Sequence, residues 1–144
     1  MLFRSEFFEP IVKGKSQVIK NSSKNVVFGV GRMVKVMYEI SEKLALSGLD
    51  LGVVNVRFIS PMDTGCIDSY ISTAANIFSC EENVCRGGFG ETLGSYLMEH
   101  GYKGNFFNLA LPDDYMVQGS PNDVRDSVGF DPDSLFENIR SCLQ

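Results

Sequence analysis

The first regular pattern of hydrophobic and polar residues predicts a β-strand, an α-helix and a second β-strand over residues 25–59. The run VVFGV is β-branched and aromatic, and LGVVNVRFI is another apolar run. Between them, residues at steps of three and four share one helical face, whose members are Val34, Met37, Ile40, Ser41 and Leu44. Gly48 then supplies a left-handed helix stop. Two buried strands joined by a helix indicate parallel pairing through a right-handed crossover.

Helix and strand patterns repeat in the next part of the chain. Residues 62–75 predict a second helix, with Asp63 or Thr64 placed to cap its N-terminus. NIFSCEE predicts a third strand that ends in acids, residues 88–100 predict a third helix, and NFFNLAL predicts a fourth strand. This alternation is typical of an α/β domain built on a parallel sheet.

The two ends of the chain carry weaker patterns. After the loop LPDDYMVQGSPND, two short helices are predicted, one opened by Ser120 and Pro121 and one by Asp131 and Pro132. Before the first strand, KGKSQVIKNSSKN predicts an edge hairpin with NSSK as its turn. We divide the chain into a lead-in, 1–24, and one domain, 25–144. The predicted fold is a three-layer α/β fold: an open, mostly parallel sheet with helices on both faces and one antiparallel edge strand.

Composition narrows the class of protein without naming a function. A chain of 144 residues with 44% hydrophobic and 22% charged residues suits one soluble domain. It has no apolar run of the roughly 20 residues that cross a bilayer. The N-terminus MLFRSEFFEP mixes acids with aromatics, so we expect no secretory signal and a cytoplasmic location. A net charge of -5 argues against a nucleic-acid partner.

Cysteine and histidine give little support for a metal site or for nucleophilic catalysis. The four cysteines are scattered without paired metal-ligand spacing, at Cys66, Cys80, Cys85 and Cys142. We expect reduced, mostly buried thiols and no zinc. The single histidine, His100, lies in the polar segment EHGYKG, where a helix end is the favoured interpretation and a catalytic base is not.

Two glycine-rich stretches invite a nucleotide-binding interpretation that their details do not support. Gly29 and Gly31 follow the first strand, but Val34 occupies the third glycine position of a dinucleotide fingerprint, and Asn55 stands where an acid would follow the next strand. RGGFGE lacks the lysine and hydroxyl residue of a P-loop. Both stretches therefore favour tight strand-to-helix turns.

The charged residues at the predicted strand ends are the remaining candidates. Glu81 and Glu82 end the third strand, and neighbours on a strand point to opposite faces, which does not suit an acid pair sharing one proton. We hypothesise that one of them accepts hydrogen bonds from backbone amides at the following helix start. Arg57 and Asp63 are expected to form an ion pair that fixes their turn. The residues alone therefore indicate an α/β domain with no self-contained active site.

Three separated segments carry a specific resemblance: VVNVRFISPMD, FSCEENVCRGGFGE and LALPDDYMVQGSPNDVRDSVGFDPDSL. In this order and spacing, with the lead-in PIVKGK, the sequence resembles the C-terminal domain of 1-deoxy-D-xylulose-5-phosphate synthase, within the transketolase C-terminal-domain family. The resemblance runs from about Glu9 to the end of the chain.

The resemblance implies a thiamine-diphosphate-dependent transferase of three domains. Such an enzyme condenses pyruvate with glyceraldehyde 3-phosphate, with loss of carbon dioxide, and supplies isoprenoid, thiamine and pyridoxal phosphate synthesis. Thiamine diphosphate and magnesium are held by the N-terminal and central domains, so this chain alone is expected to bind no cofactor and to be inactive. The implied role is assembly, with those two domains and a second copy of the chain as partners.

The resemblance also implies a structural or interfacial role for a set of matched residues. It implies no catalytic, cofactor-binding or metal-binding residue in this chain. The matched positions are Asn55, Arg57, Pro61, Asp63, Glu81, Glu82, Asn83, Gly87, Gly88 and Gly90. Two alternatives stay open. In the first, the chain is a stand-alone module that binds a small ligand or a partner. In the second, it is one subunit of a split transketolase-like or 2-oxoacid enzyme.

Overall fold

Strands and helices alternate along the part of the chain that the computed structural model describes, residues 10–114 and 118–144. The strands are β1 (Gln17–Lys20), β2 (Asn25–Gly29), β3 (Gly52–Asn55), β4 (Asn76–Val84) and β5 (Asn105–Leu111). The helices are α1 (Met33–Ala45), α2 (Thr64–Ile71), α3 (Phe89–Glu99), α4 (Pro121–Ser127) and α5 (Pro132–Leu143). The expectation of no secretory signal rests on the N-terminal segment, of which residues 1–9 lie outside the described residues, as do residues 115–117 of the predicted loop.

The five strands form one sheet in the order β1-β3-β2-β4-β5. The strands β3, β2, β4 and β5 run parallel to one another, and β1 is antiparallel to its neighbour β3. This architecture confirms the predicted mostly parallel sheet with one antiparallel edge strand. The central strand β2 is buried along its whole length, as expected for a strand covered on both faces.

The predicted edge hairpin is wrong, although its first strand exists. In β1, Gln17 lies opposite Asn55 and Val18 opposite Val54, so β1 pairs with β3 and not with the next strand along the chain. Both edges of β2 are already paired, with β3 on one side and β4 on the other. No edge of β2 is left for β1, and the polar segment NSSK therefore carries the chain from the edge of the sheet to its centre.

The helices cover the two faces of the sheet and create two cores. Helices α1 and α5 pack on one face, where Met37, Leu44 and Ile139 are fully buried. Helices α2 and α3 pack on the other face, with Ile67 and Leu93 buried among strand residues. Helix α5 has 12 residues and is not the short helix that the sequence predicted. Within residues 10–114 and 118–144, no helix is both long and apolar enough to span a bilayer.

Helix ends follow the local signals in the sequence. The Asp63 side chain caps α2, Ser120 forms a capping box before Pro121, and Asp131 caps α5. Gly48 has a φ of 74°, which confirms the left-handed stop after α1. The predicted second strand is shorter than its apolar run, because the chain turns away from the sheet just beyond Asn55.

Candidate functional site at the carboxyl edge of the sheet

The carboxyl ends of the parallel strands meet at one edge of the sheet, and the candidate residues lie in the loops that leave it. After β2 the chain turns to α1 on one face, and after β4 it turns to α3 on the other face. The loops therefore diverge between β2 and β4, which are neighbours in the sheet. Open α/β sheets bind their ligands at such a point of divergence.

Glu81 lies at this edge and turns into the protein. Its side chain is 1% exposed. One carboxylate oxygen accepts a hydrogen bond from the Phe89 N–H at 3.0 Å, and the other accepts from the Gly90 N–H at 2.9 Å. These two amides belong to the first turn of α3, where the helix dipole favours a negative charge. The hypothesis that an acid of this pair binds the helix start is therefore confirmed for Glu81.

Gly88 leaves room for the Glu81 carboxylate, and Gly90 leaves room for the side chain of Asn108 in β5. A Cβ atom on Gly88 would lie 2.4 Å from the Glu81 Oε1, and one on Gly90 would lie 2.1 Å from the Asn108 Oδ1. Gly87 has a φ of 71°, in the left-handed region. The glycine segment is thus a turn shaped around a carboxylate, and a negative charge already occupies the place where a P-loop would receive a phosphate.

Glu82 points to the opposite face and joins three elements by ion pairs. Its carboxylate lies 2.8 Å from the Arg32 Nε, at the start of α1, and 2.7 Å from an Arg125 guanidinium nitrogen in α4. The Arg125 side chain is 15% exposed, so this pair is shielded more than an ordinary surface pair. The crevice between β2 and β4 is therefore bridged by protein charges.

The expected ion pair between Arg57 and Asp63 does not form. Asp63 accepts hydrogen bonds from the Ser16 N–H at 2.8 Å and from the Lys15 ammonium at 3.3 Å, besides capping α2. Arg57 instead donates to the Gln17 side-chain oxygen at 2.7 Å. Its φ of 57° turns the chain, and its side chain reaches β1 while Asp63 faces the lead-in and α2.

The remaining residues carried over by the resemblance have local contacts. Asn55 accepts a hydrogen bond from the Arg57 N–H at 3.2 Å and so helps to form the turn after β3. The Ser60-Pro61 peptide bond is cis, and a Cβ on Gly14 would lie 3.0 Å from the Pro61 ring. Asn83 is exposed. The structure does not bring all ten positions into one cluster.

The first glycine stretch is also a tight turn, as predicted. A Cβ on Gly29 would lie 3.1 Å from the Val34 Cα, so this glycine allows α1 to pack closely on the end of β2. Gly31 has a φ of 60°. Val34, at the third glycine position of the fingerprint, thus packs against Gly29. The close approach that Gly29 permits is between β2 and α1.

The thiols and the histidine do not form a catalytic pair. All four cysteines are free, but only Cys80 is buried and the other three are partly buried, which corrects the expectation of mostly buried thiols. Burial raises the pKa of Cys66 to about 11 and also raises that of Cys80, so neither is a thiolate at neutral pH. His100 caps the C-terminal end of α3 and stacks on Tyr96 at 3.8 Å.

Two features of this edge could not be read from the sequence. Arg32 and Arg125 bind Glu82 from 50 and 43 positions away along the chain, a pairing that no local pattern indicates. The contact of Gly90 with Asn108 also depends on the packing of α3 against β5. Among the described residues, no three acids, cysteines or histidines form a group suited to a metal ion.

Comparison with known proteins identifies the class. Residues 14–135 match the family model described as "Transketolase, C-terminal domain". The chain therefore belongs to the transketolase C-terminal domain family.

Two similar proteins are both 1-deoxy-D-xylulose-5-phosphate synthases. The chain is 37% identical over 134 residues to 1-deoxy-D-xylulose-5-phosphate synthase 2 of Geobacter sulfurreducens, which covers 92% of this chain and 21% of that protein. It is 33% identical over 132 residues to 1-deoxy-D-xylulose-5-phosphate synthase 1 of Geobacter metallireducens, covering 91% and 21%. The chain thus spans about a fifth of the length of the curated relatives it matches.

Solved structures share the fold. A split-gene transketolase, in an inactive beta4 tetramer, superposes with a TM-score of 0.80 at 18% identity, over 94% of this chain and 43% of that one. A 2-oxoglutarate:ferredoxin oxidoreductase from Magnetococcus marinus gives a TM-score of 0.59 at 16% identity, over 90% and 20%. The resemblance found in the sequence is confirmed for both family and fold.

Substitution of Glu81 tests the buried carboxylate. Glu81→Gln places an amide N–H₂ against one of two backbone N–H groups, and we expect the free energy of unfolding to fall by about 2 kcal/mol. Urea unfolding measures the difference. Glu99→Gln, an exposed change at the far end of the same helix, is the control and should cost less than about 0.5 kcal/mol. Equal losses in the two variants would contradict the assigned role.

Asp63 makes the stability depend on pH. Burial alone would raise its pKa, but hydrogen bonds from Ser16, Cys66 and Lys15 outweigh burial and hold the pKa below its ordinary value. A carboxylate with a lowered folded-state pKa stabilises the protein above its unfolded-state pKa, and this stabilisation is lost as pH falls through the folded-state pKa.

Asp63→Asn should therefore lower the free energy of unfolding by about 1–2 kcal/mol at neutral pH. The difference from the native protein should shrink as pH falls below about 4. Urea unfolding across this range measures it, and Asp50→Asn, on an exposed position before β3, controls for the loss of one charge. A difference that stays constant with pH would refute the assignment.

Proposed function

We propose that this chain is the assembly domain of an enzyme of the 1-deoxy-D-xylulose-5-phosphate synthase type. The observation that carries the proposal is the match to synthases over more than nine-tenths of this chain but only a fifth of theirs. The catalytic machinery of the whole enzyme then belongs to its remaining domains. That enzyme condenses pyruvate with glyceraldehyde 3-phosphate and releases carbon dioxide.

The chemistry of the carboxyl edge supports a structural role. The position that most often receives a ligand in an open α/β sheet is bridged by the Arg32 and Glu82 ion pair. The neighbouring helix start is filled by the Glu81 carboxylate. These groups bind one another, which suits a surface that holds its shape and not one that carries out proton transfer.

Thiamine diphosphate does not fit the start of α3 at this edge. A diphosphate at the start of α3 would meet the Glu81 carboxylate, which already accepts from the Phe89 and Gly90 N–H groups. Two negative groups at one desolvated site repel each other. The cofactor is therefore assigned to the N-terminal and central domains, and this chain takes no step through it.

The domain is proposed to act by contacting other domains and so assembling the enzyme. Its partners are the N-terminal and central domains of the enzyme and a second copy of the whole assembly, as a homodimer in the cytoplasm. At the carboxyl edge Pro61 and Asn83 are exposed and Asn55 and Arg57 are partly buried, and we assign contact with the partners to these four residues. The ten carried-over positions together are the proposed interface and its support.

A second candidate places the catalytic domains on a separate chain. The solved structure with a TM-score of 0.80 is a split-gene transketolase, and this chain covers 43% of it. In that arrangement this chain is one subunit of a transketolase-like or 2-oxoacid enzyme. The assembly role is the same, but the partner is a second polypeptide.

A domain replacement tests the proposal. Residues 10–144 of this chain replace the C-terminal domain of the Geobacter sulfurreducens synthase, and the product is compared with a truncated synthase that lacks this domain. We expect the chimera to form a dimer and to convert pyruvate and glyceraldehyde 3-phosphate, because the replaced region supplies only contacts. The truncated synthase should not assemble, and this chain alone should neither turn over substrate nor bind thiamine diphosphate.

Light scattering and a steady-state assay give the two readouts. Activity restored by adding this chain in trans to the truncated synthase would favour the separate-subunit form. Turnover or cofactor binding by this chain alone would refute the proposal, and so would a chimera that assembles no better than the truncated synthase.

A further inference from the structure

A cleft at the carboxyl ends of β2 and β3 is separate from the bridged crevice between β2 and β4. Its volume is about 650 Å³, within the range of roughly 300–1,000 Å³ that small-molecule sites occupy. Its apolar walls include Ile11, Val30, Phe58 and Ile59. Ile11 is 69% exposed and Ile59 is 49% exposed, so apolar surface borders the opening.

The polar part of the cleft is small and centres on one cation. Three polar side chains line it, those of Gln17, Asn55 and Arg57. An apolar cavity with a few convergent polar groups is the usual form of a small-molecule site. Arg57 supplies the only charge among these lining residues, and this charge decides which ligand suits the cleft.

The backbone holds Arg57 in an unusual conformation. Among the described residues it is the one non-glycine residue with a positive φ, at 57°. The Phe58 N–H donates to the Val56 carbonyl oxygen at 2.6 Å, and the Arg57 N–H donates to the Asn55 side chain at 3.2 Å. Such strained conformations cluster at active sites, ligand clamps and switch regions. The turn therefore sets the direction in which the Arg57 side chain leaves the backbone, and the bond to Gln17 holds its guanidinium.

The guanidinium lacks a countercharge within the part of the chain that the structure describes. The four other described arginines each pair with a carboxylate within 4.0 Å, as shown by the pairs Arg32 with Glu82, Arg86 with Asp113, Arg125 with Glu82, and Arg140 with Glu137. Arg57 donates to the neutral Gln17 oxygen. A guanidinium has five N–H donors, so a planar anion can still be received beside this bond.

We propose that this cleft binds a small monocarboxylate with a short aliphatic body. The carboxylate accepts two parallel hydrogen bonds from Arg57, the geometry that a guanidinium favours. The aliphatic body contacts Val30, Phe58 and Ile59. A phosphate is a poorer match, because it carries about two negative charges and the cleft offers one cation to balance them. The chain itself has a net charge of -5, which adds to the repulsion. This binding site goes beyond the assembly role, and it uses Asn55 and Arg57, which also belong to the proposed interface, so it is tested on the separate chain.

Titration of the full chain with isobutyrate tests the site, followed by the Arg57 Nε–Hε signal in nitrogen-labelled NMR spectra at constant ionic strength. We expect saturable shifts at Arg57 and at the cleft walls. Acetate, which lacks the aliphatic body, and inorganic phosphate should bind more weakly. Arg57→Lys keeps the charge but loses the planar fork, and should weaken isobutyrate binding roughly tenfold.

Two further variants separate binding from folding. Ile59→Gln changes a half-exposed wall residue, so we expect a native spectrum and weaker binding. Arg86→Gln removes an arginine whose side chain is 85% exposed on another loop, and should leave binding unchanged. Equal weakening in Arg57→Lys and Arg86→Gln would overturn the proposal. The proposal would also be overturned if the cleft responded to no free carboxylate but was shielded from solvent in an assembled enzyme. That result would assign Arg57 to an acidic side chain of a partner.

Discussion

The carboxyl edge of this domain depends on one buried carboxylate. Glu81 lies near the end of β4, a central strand, and its two oxygens accept hydrogen bonds from the first amides of α3 at 3.0 and 2.9 Å. A buried carboxylate without such donors would cost several kcal/mol, so the turn must bring backbone N–H groups to it. Gly88 is needed because a Cβ there would collide with the Glu81 carboxylate, and Gly90 because a Cβ there would collide with the Asn108 side chain. Strand end, turn and helix start are therefore fixed together.

Because side chains alternate along a strand, the neighbouring acid, Glu82, has different contacts. Glu81 faces the core, and Glu82 faces outward to Arg32 and Arg125. Through these ion pairs α4, which has no buried residue of its own, is joined to the end of the sheet. Two adjacent glutamates thus organise both faces of one edge. Neither has the surroundings of a general acid or base, which is consistent with an assembly role.

Local signals in the sequence predicted most of the fold, and long-range contacts account for what they missed. Helix caps such as Asp63 and the glycine stop at Gly48 act within a few residues and were predicted correctly. The partner of β1 depends on which edge of the finished sheet is free, so the hairpin prediction failed. The predicted pair of Arg57 with Asp63 failed because a positive φ at Arg57 directs its side chain elsewhere. No local pattern reports either effect.

The central functional claim is that this domain serves a larger enzyme. The most direct measurement is a peptide map of the protein isolated from its own cells under native conditions, together with the mass of the complex. We expect its peptides to belong to a chain several times longer, or the protein to copurify with a separate chain carrying the catalytic domains. A protein of this size that is isolated alone, with no partner chain, would contradict the account.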